Sequence, residues 1–520
     1  MWSSWGDASN EKDKNFRAIL LALLAMMLAT LWFLWSRKKF SKNLIPPLPP
    51  GPIGLPLLGY LPFLGTNLHH ELTDLARVYG PIYKLRLGSK LCVVISSPTL
   101  LKEMVRDHDI VFANHVPITA ALVGSYGERD IAFAPYGPDW RRLRMVFASK
   151  MLSKTNLEDT YALRREEVHK LIGHIYDKIG TPVDLGKLAF DTATNNVMRM
   201  LWGGTILKGE KAAEAGAEFR KAVTGTMELL GKPNISDFFP ALSIFDVQGI
   251  EREAKKLISV TDKILDSAIQ QRMHYTLAEG ERKDFLQFLL EYHNHEDSEI
   301  SITMQQLKAV LTDIVVGGTE TTTAMVEWVM AELMQHPKEM KKVQEELTQV
   351  VGLDNLVEEF HLPKLHHLDA VVKETLRLHP ALPLLVPRRP SESATISGYT
   401  IPKGTTVFMN AYAIHRDPSH WDNPLEFRPQ RFLDPSKRFD YLGNKLQYVP
   451  FGCGRRICAG LPLAERMLNF ELASFLHSFE WRLPDDVKLD LSEKYGLVVK
   501  KMTPLFAIPT PRLSRFELYT

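Results

Sequence analysis

"FGCGRRICAG", residues 451–460, holds two of the only three cysteines in a chain of 520 residues, set among three glycines and two arginines. Three cysteines cannot build a disulfide framework, and the third, Cys92, is remote in sequence. Zinc and iron–sulfur sites take four N/S ligands as a rule, and no CxxC or nearby Cys/His set exists. Covalent haem attachment needs CxxCH, which is absent. What remains is one thiolate acting alone, as a nucleophile or as an axial metal ligand. Cys458 stands just ahead of "LPLAERMLNFELASFLHSF", residues 461–479, a strongly helical stretch with Pro462 suited to a first turn, so a helix is predicted to start between 459 and 462. A thiol at that helix N-terminus, beside Arg455 and Arg456, is expected to have a depressed pKa. Gly452, Gly454 and Gly460 let the backbone pass close to a flat ligand and aim N–H groups at the sulfur. Cys453 lacks the helix terminus. A nucleophilic cysteine would want a histidine base, and none lies nearby in sequence.

A second unusual stretch, "DIVVGGTETTTAMVEW" (residues 313–328), sets Gly317-Gly318 inside an otherwise good helix. Each glycine costs about 1 kcal/mol relative to alanine. One reading is two helices, the first ended by Gly318 and the second capped by Thr319 or Thr321. The other is one helix thinned where it passes a bound group, because the apolar phase continues across the break. In the second reading the Thr321 hydroxyl bonds back to the Gly317 carbonyl and bends the helix. Glu320-Thr321 then puts an acid beside an alcohol, the makings of a proton relay.

Length and charge set the frame. The 45% hydrophobic content supports a large core, and 63 basic against 61 acidic residues exclude a nucleic-acid polyelectrolyte. Sparse cysteine fits a reducing compartment. Residues 18–35 are apolar except for Thr30. They would span roughly 27 Å as a helix, which matches a thin bilayer. The preceding charges are balanced, no small-residue cleavage site follows, and Arg37, Lys38, Lys39 and Lys42 form a stop-transfer cluster. Residues 1–45 therefore read as an uncleaved membrane anchor with the remainder cytosolic. "PPLPPGPIGLP", residues 46–56, reads as a stiff polyproline hinge, and residues 57–520 as the body.

In the body, "YKLRLGSKLCVVIS" (83–96) predicts a hairpin turning at Gly88-Ser89 with Cys92 in the core. A second hairpin is predicted in 394–410, and short strands in "GLVVKK" and "PLFAIP". Elsewhere helical periodicity dominates, as in Leu307, Val310, Leu311, Ile314 and Val315. "HNHEDSE" (293–299) reads as a surface loop. The fold class is mainly α with small β-sheets.

Phe451, Gly454, Arg456, Cys458 and Gly460 match the FxxGxRxCxG signature, and the chain resembles the haem-thiolate monooxygenases, the cytochromes P450. Further family motifs appear in order: 317–322 for the oxygen-activating (A/G)GxETT segment, Glu374 and Arg377 for ExxR, and Arg431 of "FRPQRF" for the third member of that triad. Trp140 and Arg144 of "DWRRLR" match WxxxR and, with Arg388, resemble haem-propionate partners. One departure is Gln430, where the family usually has glutamate. The resemblance implies a cytochrome P450 fold behind a single N-terminal transmembrane helix. It implies haem b held by Cys458, with Arg456, Trp140, Arg144, Arg388 and Phe451 around it, and Thr321 and Glu320 as proton donors. Electrons would come from NADPH through NADPH–cytochrome P450 reductase, docking on Arg141, Arg142, Lys437, Arg438, Lys445 and Arg455. The location implied is the endoplasmic reticulum membrane. The wording of 315–337 and 234–251 is similar to plant microsomal A-type enzymes, nearest family seven hundred and six, with family seventy-six behind. Asn234-Ile235-Ser236 is a glycosylation sequon that a cytosolic face leaves unused. By analogy the pocket is lined by 115–126, 313–321, 381–386 and 496–498, largely small and apolar, so a lipophilic substrate is expected. The reading favours a terpenoid (a sesquiterpene or monoterpene), with a flavonoid or other phenolic as the alternative. Two rivals from other classes are an isomerase or dehydratase on the same fold and a non-catalytic haem sensor or carrier.

Overall fold

The computed structural model describes residues 46–204, 212–275, 282–297 and 300–520, with scattered positions between 16 and 31. The stretch read as an anchor lies mostly outside them, and among the described residues no helix is long and apolar enough to cross a membrane. The polyproline hinge does not stand free of the body. It lies flat on it: Lys84 N donates to Pro50 O at 2.7 Å and Thr400 N to Pro47 O at 2.8 Å. Proline carbonyls have no partners within their own segment, so they take donors from the body's strands.

Helices make the bulk of the body. Those that matter below are α1 (Leu68–Tyr79), α2 (Pro138–Val146), α3 (Leu185–Trp202), α4 (Ala212–Gly231), α5 (Ile250–Met273), α6 (Met304–Gln335), α7 (His366–Leu378) and α8 (Leu461–Ser478). α6 runs unbroken through the glycine pair for 32 residues, so the two-helix reading of this stretch is replaced by one continuous helix. It starts on a capping box, with Thr303 Oγ1 accepting from Gln306 N and Gln306 Oε1 accepting from Thr303 N, and ends at His336 before Pro337. α6 packs along α3 and against α8, and its Trp328 is fully buried.

The sheets are small. β1 (Ile82–Leu87) and β2 (Lys90–Ile95) form the expected hairpin, turning at Gly88, whose φ is 58°. Cys92 is buried on β2, as expected. β3 (Asn114–His115), β4 (Arg388–Arg389) and β7 (Thr406–Met409) join them in the order β1-β2-β7-β4-β3, with β7 parallel to β2. The hairpin predicted in 394–410 is two things: β5 (Ala394–Ile396) pairs with β6 (Tyr399–Ile401), and β7 leaves for the larger sheet. β8 (Glu493–Lys494) and β9 (Lys500–Lys501) form a separate hairpin over α6.

The third motif group, Glu374, Arg377 and Arg431, ties α7 to the segment before the cysteine loop. Arg377 meets Glu374 through two bonds of 2.7 and 2.9 Å, and Arg431 Nε reaches Glu374 Oε1 at 3.1 Å. Arg377 also donates to the carbonyls of His415 and Pro424. Gln430 donates to both oxygens of Glu339 at 3.1 Å. A glutamate there would face a like charge, so the departure at Gln430 suits its neighbour. Of the "HNHEDSE" stretch, 294–297 are exposed loop as expected, 298–299 lie outside the described residues, and His293 instead ends the helix Phe285–His293, half-buried with its ring bonded to Ile302 O.

Candidate active site

α8 begins at Leu461 with Pro462 in its first turn, and the 451–460 loop folds back ahead of it. Cys458 N donates to Phe451 O at 2.9 Å and Ile457 N to Gly454 O at 3.0 Å. Gly452 and Gly454 take φ of 76° and 68°, the left-handed region that favours glycine, and a Cβ on Gly454 would meet Asp109 Oδ1 at 2.8 Å. The two cysteines of the loop part company here. Cys453 is sealed in the core, where burial pushes its thiol up to about 12. Cys458 is accessible, though the fold surrounds it closely enough for desolvation to matter, so it faces interior space.

The expected depression of the Cys458 thiol is not what the geometry gives. Burial raises it, outweighing the Gly460 and Leu461 amides and the Arg144 charge, which pull the other way. Arg455 and Arg456 do not help, because the 3₁₀ turn Gly454–Arg456 splays them apart. Arg455 turns out to Asp109 at 3.0 Å. Arg456 turns in and donates to the carbonyls of Ala113 and Ile131 at 2.5 and 3.0 Å, and to that of Ala134. An accessible sulfur closely ringed by protein, with two N–H groups and a guanidinium near it, is a donor that a metal cation, in place of a proton, would hold as thiolate.

Around the loop lies a nest of cations. Trp140 on α2 donates Nε1–H to Ile131 O at 2.9 Å and presents its ring to Arg456 and Arg144, whose Cζ atoms lie 4.4 and 5.9 Å from the ring. Arg144 donates to Ile457 O at 2.7 Å, and Arg388 on β4 to Cys453 O at 3.1 Å. Arg388 Nε is buried with no partner. Among the described residues none of these three arginines has a carboxylate in salt-bridge range. Burial first, and mutual repulsion for Arg456, push Arg388 down to about 10 and Arg456 to about 9. His115 on β3 pairs in register with Arg388 and is held neutral by burial and by the same two arginines. Buried like charges with an orphaned donor fit a ligand bearing carboxylates, and with Cys458 they fit haem. Phe451 packs edge-on against Tyr441 at 5.2 Å.

On α6 the two glycines differ. A Cβ on Gly318 would lie 3.3 Å from Val197 on α3, so Gly318 serves the helix contact. Gly317 has nothing within 4 Å and is exposed, although Val316 before it and Thr319 after it are buried. Thr321 Oγ1 donates to Gly317 O at 2.7 Å, the back-bond read from sequence. Thr319, Thr322 and Thr323 do the same one turn back, which loosens the ladder along this stretch. Glu320 is adjacent in sequence but turned about 100° around the helix. Its carboxylate meets Thr224 Oγ1 of α4 and Lys500 Nζ of β9, not Thr321.

One more carboxyl pair binds α6 to the loop beneath the cation nest. Asp313 accepts from Ile131 N and Ala132 N at 2.7 and 3.0 Å, while Asp130 accepts from Phe133 N and Ala134 N. The two carboxyls also hydrogen-bond each other, and burial raises both, Asp130 to about 6. Asp313, expected to line the pocket, is spent on this loop instead. Asp130, Thr224 and Lys500 were not read from the sequence as site residues, and His115 was expected only as pocket lining, not beside Arg388; only the packing of distant segments brings them here.

Comparison with known proteins gives one answer. The cytochrome P450 family matches residues 49–507. A flavonoid 3'-monooxygenase of Crocosmia x crocosmiiflora is 40% identical over 506 residues, covering 93% of this chain and 99% of that protein. A flavonoid 3'-monooxygenase of Petunia hybrida is 38% identical, covering 95% and 99%. A zebra fish cytochrome P450 solved with progesterone superposes with a TM-score of 0.75 at 26% identity, covering 85% of this chain and 99% of that one. These relatives do not support placement in family seven hundred and six.

Proposed function

This chain belongs to the cytochrome P450 family and is a haem-dependent monooxygenase supplied with electrons from NADPH through a reductase, and we propose that its substrate is a flavonoid or a closely related phenolic. Haem, when bound, supplies the oxygen chemistry. The residues do the rest. Cys458 offers its sulfur, steadied by the Gly460 and Leu461 amides and by Arg144. Arg144, Arg388 and Arg456, with His115 beside them, offer charge and N–H groups to the carboxylates of that group, and Trp140, its own N–H spent on Ile131 O, holds Arg456 and Arg144 against its ring. Phe451 shapes the loop through its carbonyl, which accepts from Cys458 N.

Thr321 donates its hydroxyl hydrogen bond to Gly317 O, which leaves the Oγ1 lone pairs free to accept a hydrogen bond from, and so orient, a water beside the exposed Gly317. Glu320 holds its carboxylate between Thr224 and the partly exposed Lys500. We infer that protons enter along Lys500 Nζ and Glu320 and cross to Thr321 through water.

The observation that carries the substrate reading is the flavonoid 3'-monooxygenase relative at 40% identity over nearly the whole chain. It favours the phenolic alternative over the terpenoid expected from pocket composition, since small apolar walls suit a flat aromatic ring as well as a terpene. The test is turnover by the haem-loaded enzyme with reductase and NADPH. A flavonoid should gain one oxygen atom, and sesquiterpenes and monoterpenes should be turned over poorly. Terpene turnover without flavonoid turnover sinks the reading.

For location we propose the endoplasmic reticulum membrane, with residues 1–45 as anchor. What supports it is exposed apolar side chains next to the hinge, Leu57, Leu58 and Phe63, together with exposed Ile244, Phe245 and Val247 in the segment after Phe238, whose carbonyl accepts from Ser89 N. Removing 1–45 should leave partial membrane attachment in a flotation assay. Full release would contradict a membrane role for that surface. Of the residues expected to form a reductase-docking face, Arg141, Arg438 and Arg455 are exposed, whereas Arg142 is half-buried and paired with Asp139 and Lys445 lies half-buried over the Phe439 ring.

A further inference from the structure

Away from the cysteine loop, three histidines surround one glutamate where α1, the end of α7 and β8 meet. His69 Nε2 lies 2.8 Å from Glu493 Oε2, and His70 Nε2 lies 3.3 Å from the same oxygen. His379 Nδ1 stands 3.5 Å from the other oxygen. Consecutive helical residues leave the axis about 100° apart, so neighbouring side chains ordinarily face different surroundings. Here both rings turn to one atom. The three ligand atoms of His69, His70 and Glu493 all fall within 4.8 Å of one another.

We propose that His69, His70 and Glu493 form a divalent transition-metal site, best matched to zinc, with its remaining coordination open to water. Two imidazoles and a carboxylate are a zinc donor set, and a site with three protein ligands keeps an open position. Ligands about 2.0–2.1 Å from a tetrahedral ion stand about 3.3 Å from each other. His70 and Glu493 already have that spacing, the His69–Glu493 edge is about half an ångström short of it, and the His69–His70 edge lies within 4.8 Å, so small side-chain rotations close the site around an ion.

The ring of His69 is braced edge-on by Tyr412 at 4.7 Å and stacked on Tyr495 at 5.3 Å. His379 orients the far oxygen of Glu493, with its own Nε2 2.7 Å from Glu332 and its ring stacked on Trp328 at 4.0 Å. The His70 side chain is 44% exposed and gives an ion its way in. Arg416, stacked on Tyr412, is the nearby positive charge and tempers the affinity. Occupation would clamp α1 to the β8–β9 hairpin, whose Lys500 holds Glu320.

The test uses tag-free, haem-loaded protein stripped with chelator, exposed to zinc chloride and passed through gel filtration before elemental analysis. The parent should retain about one zinc per chain. His70→Ala, a half-exposed position, should lose it with haem content unchanged. Zinc should also raise the melting temperature of the parent in a concentration-dependent way and leave His70→Ala unmoved. No retained zinc in the parent, or equal zinc in the parent and His70→Ala, overturns the site.

Discussion

At the scale of single residues, two cysteines five positions apart have opposite surroundings. Cys453 is core, and Cys458 is the thiol that faces interior space. Cys458→Ser should therefore abolish the thiolate-type spectrum of the reduced carbonyl complex, and Cys453→Ser should keep it. The choice was legible in sequence from the helix start alone. The sign of the thiol shift was not, because adjacency to Arg455 and Arg456 says nothing of where those side chains turn. Arg144, 314 residues earlier, supplies the charge instead. The proposed proton path has the same character: Thr321 was readable as a back-bonded hydroxyl, whereas Lys500 is recruited from the far end of the chain. Thr321→Ala should lower product formed per NADPH by a factor of the order of 10²–10⁴, the usual worth of acid–base assistance. Lys500→Met should lower the same ratio less severely and shift its pH profile, with haem content unchanged. A flat profile and unchanged ratio for Lys500→Met would leave the lysine a structural tether.

At the scale of elements, α6 does two jobs through adjacent glycines. Gly317→Ala meets nothing and gains helix propensity, so it should stabilise the fold by up to about 1 kcal/mol while altering substrate-induced spectral shifts. Gly318→Leu must displace Val197 on α3 and should cost about 1–3 kcal/mol in chemical denaturation. The continuity of α6 was visible in the phase of its apolar residues; the division of labour between the glycines needed α3 in place. The Asp130–Asp313 pair ties α6 to the loop carrying Ile131. Both carboxyls are raised, so the stability they lend is full at low pH and is lost as pH rises through about 6. Asp313→Asn accepts the same two backbone N–H groups and cannot ionise. Its melting temperature should fall less than the parent's as pH rises from about 4 through about 6. An identical pH dependence would mean the pair does not share a proton.

At the scale of the whole molecule, motifs spread over more than 300 residues converge on one loop, and that convergence made the fold readable. Trp140, Arg144, Arg388 and Arg456 each sit in a different local context, yet they gather around Cys453 and Ile457 carbonyls and the Trp140 ring. Substrate class was the part composition could not decide, since apolar walls accept a terpene and a flat phenolic alike. The central claim is oxygen insertion from dioxygen at a Cys458-held haem, and isotope labelling tests it most directly. Haem-loaded enzyme, reductase, NADPH and a flavonoid are incubated under ¹⁸O-labelled dioxygen in ordinary water, and the product is weighed by mass spectrometry. The account predicts one labelled oxygen atom in the product and none when the label is in the water. A product that carries oxygen from water, or one rearranged or dehydrated with no added oxygen, would contradict it.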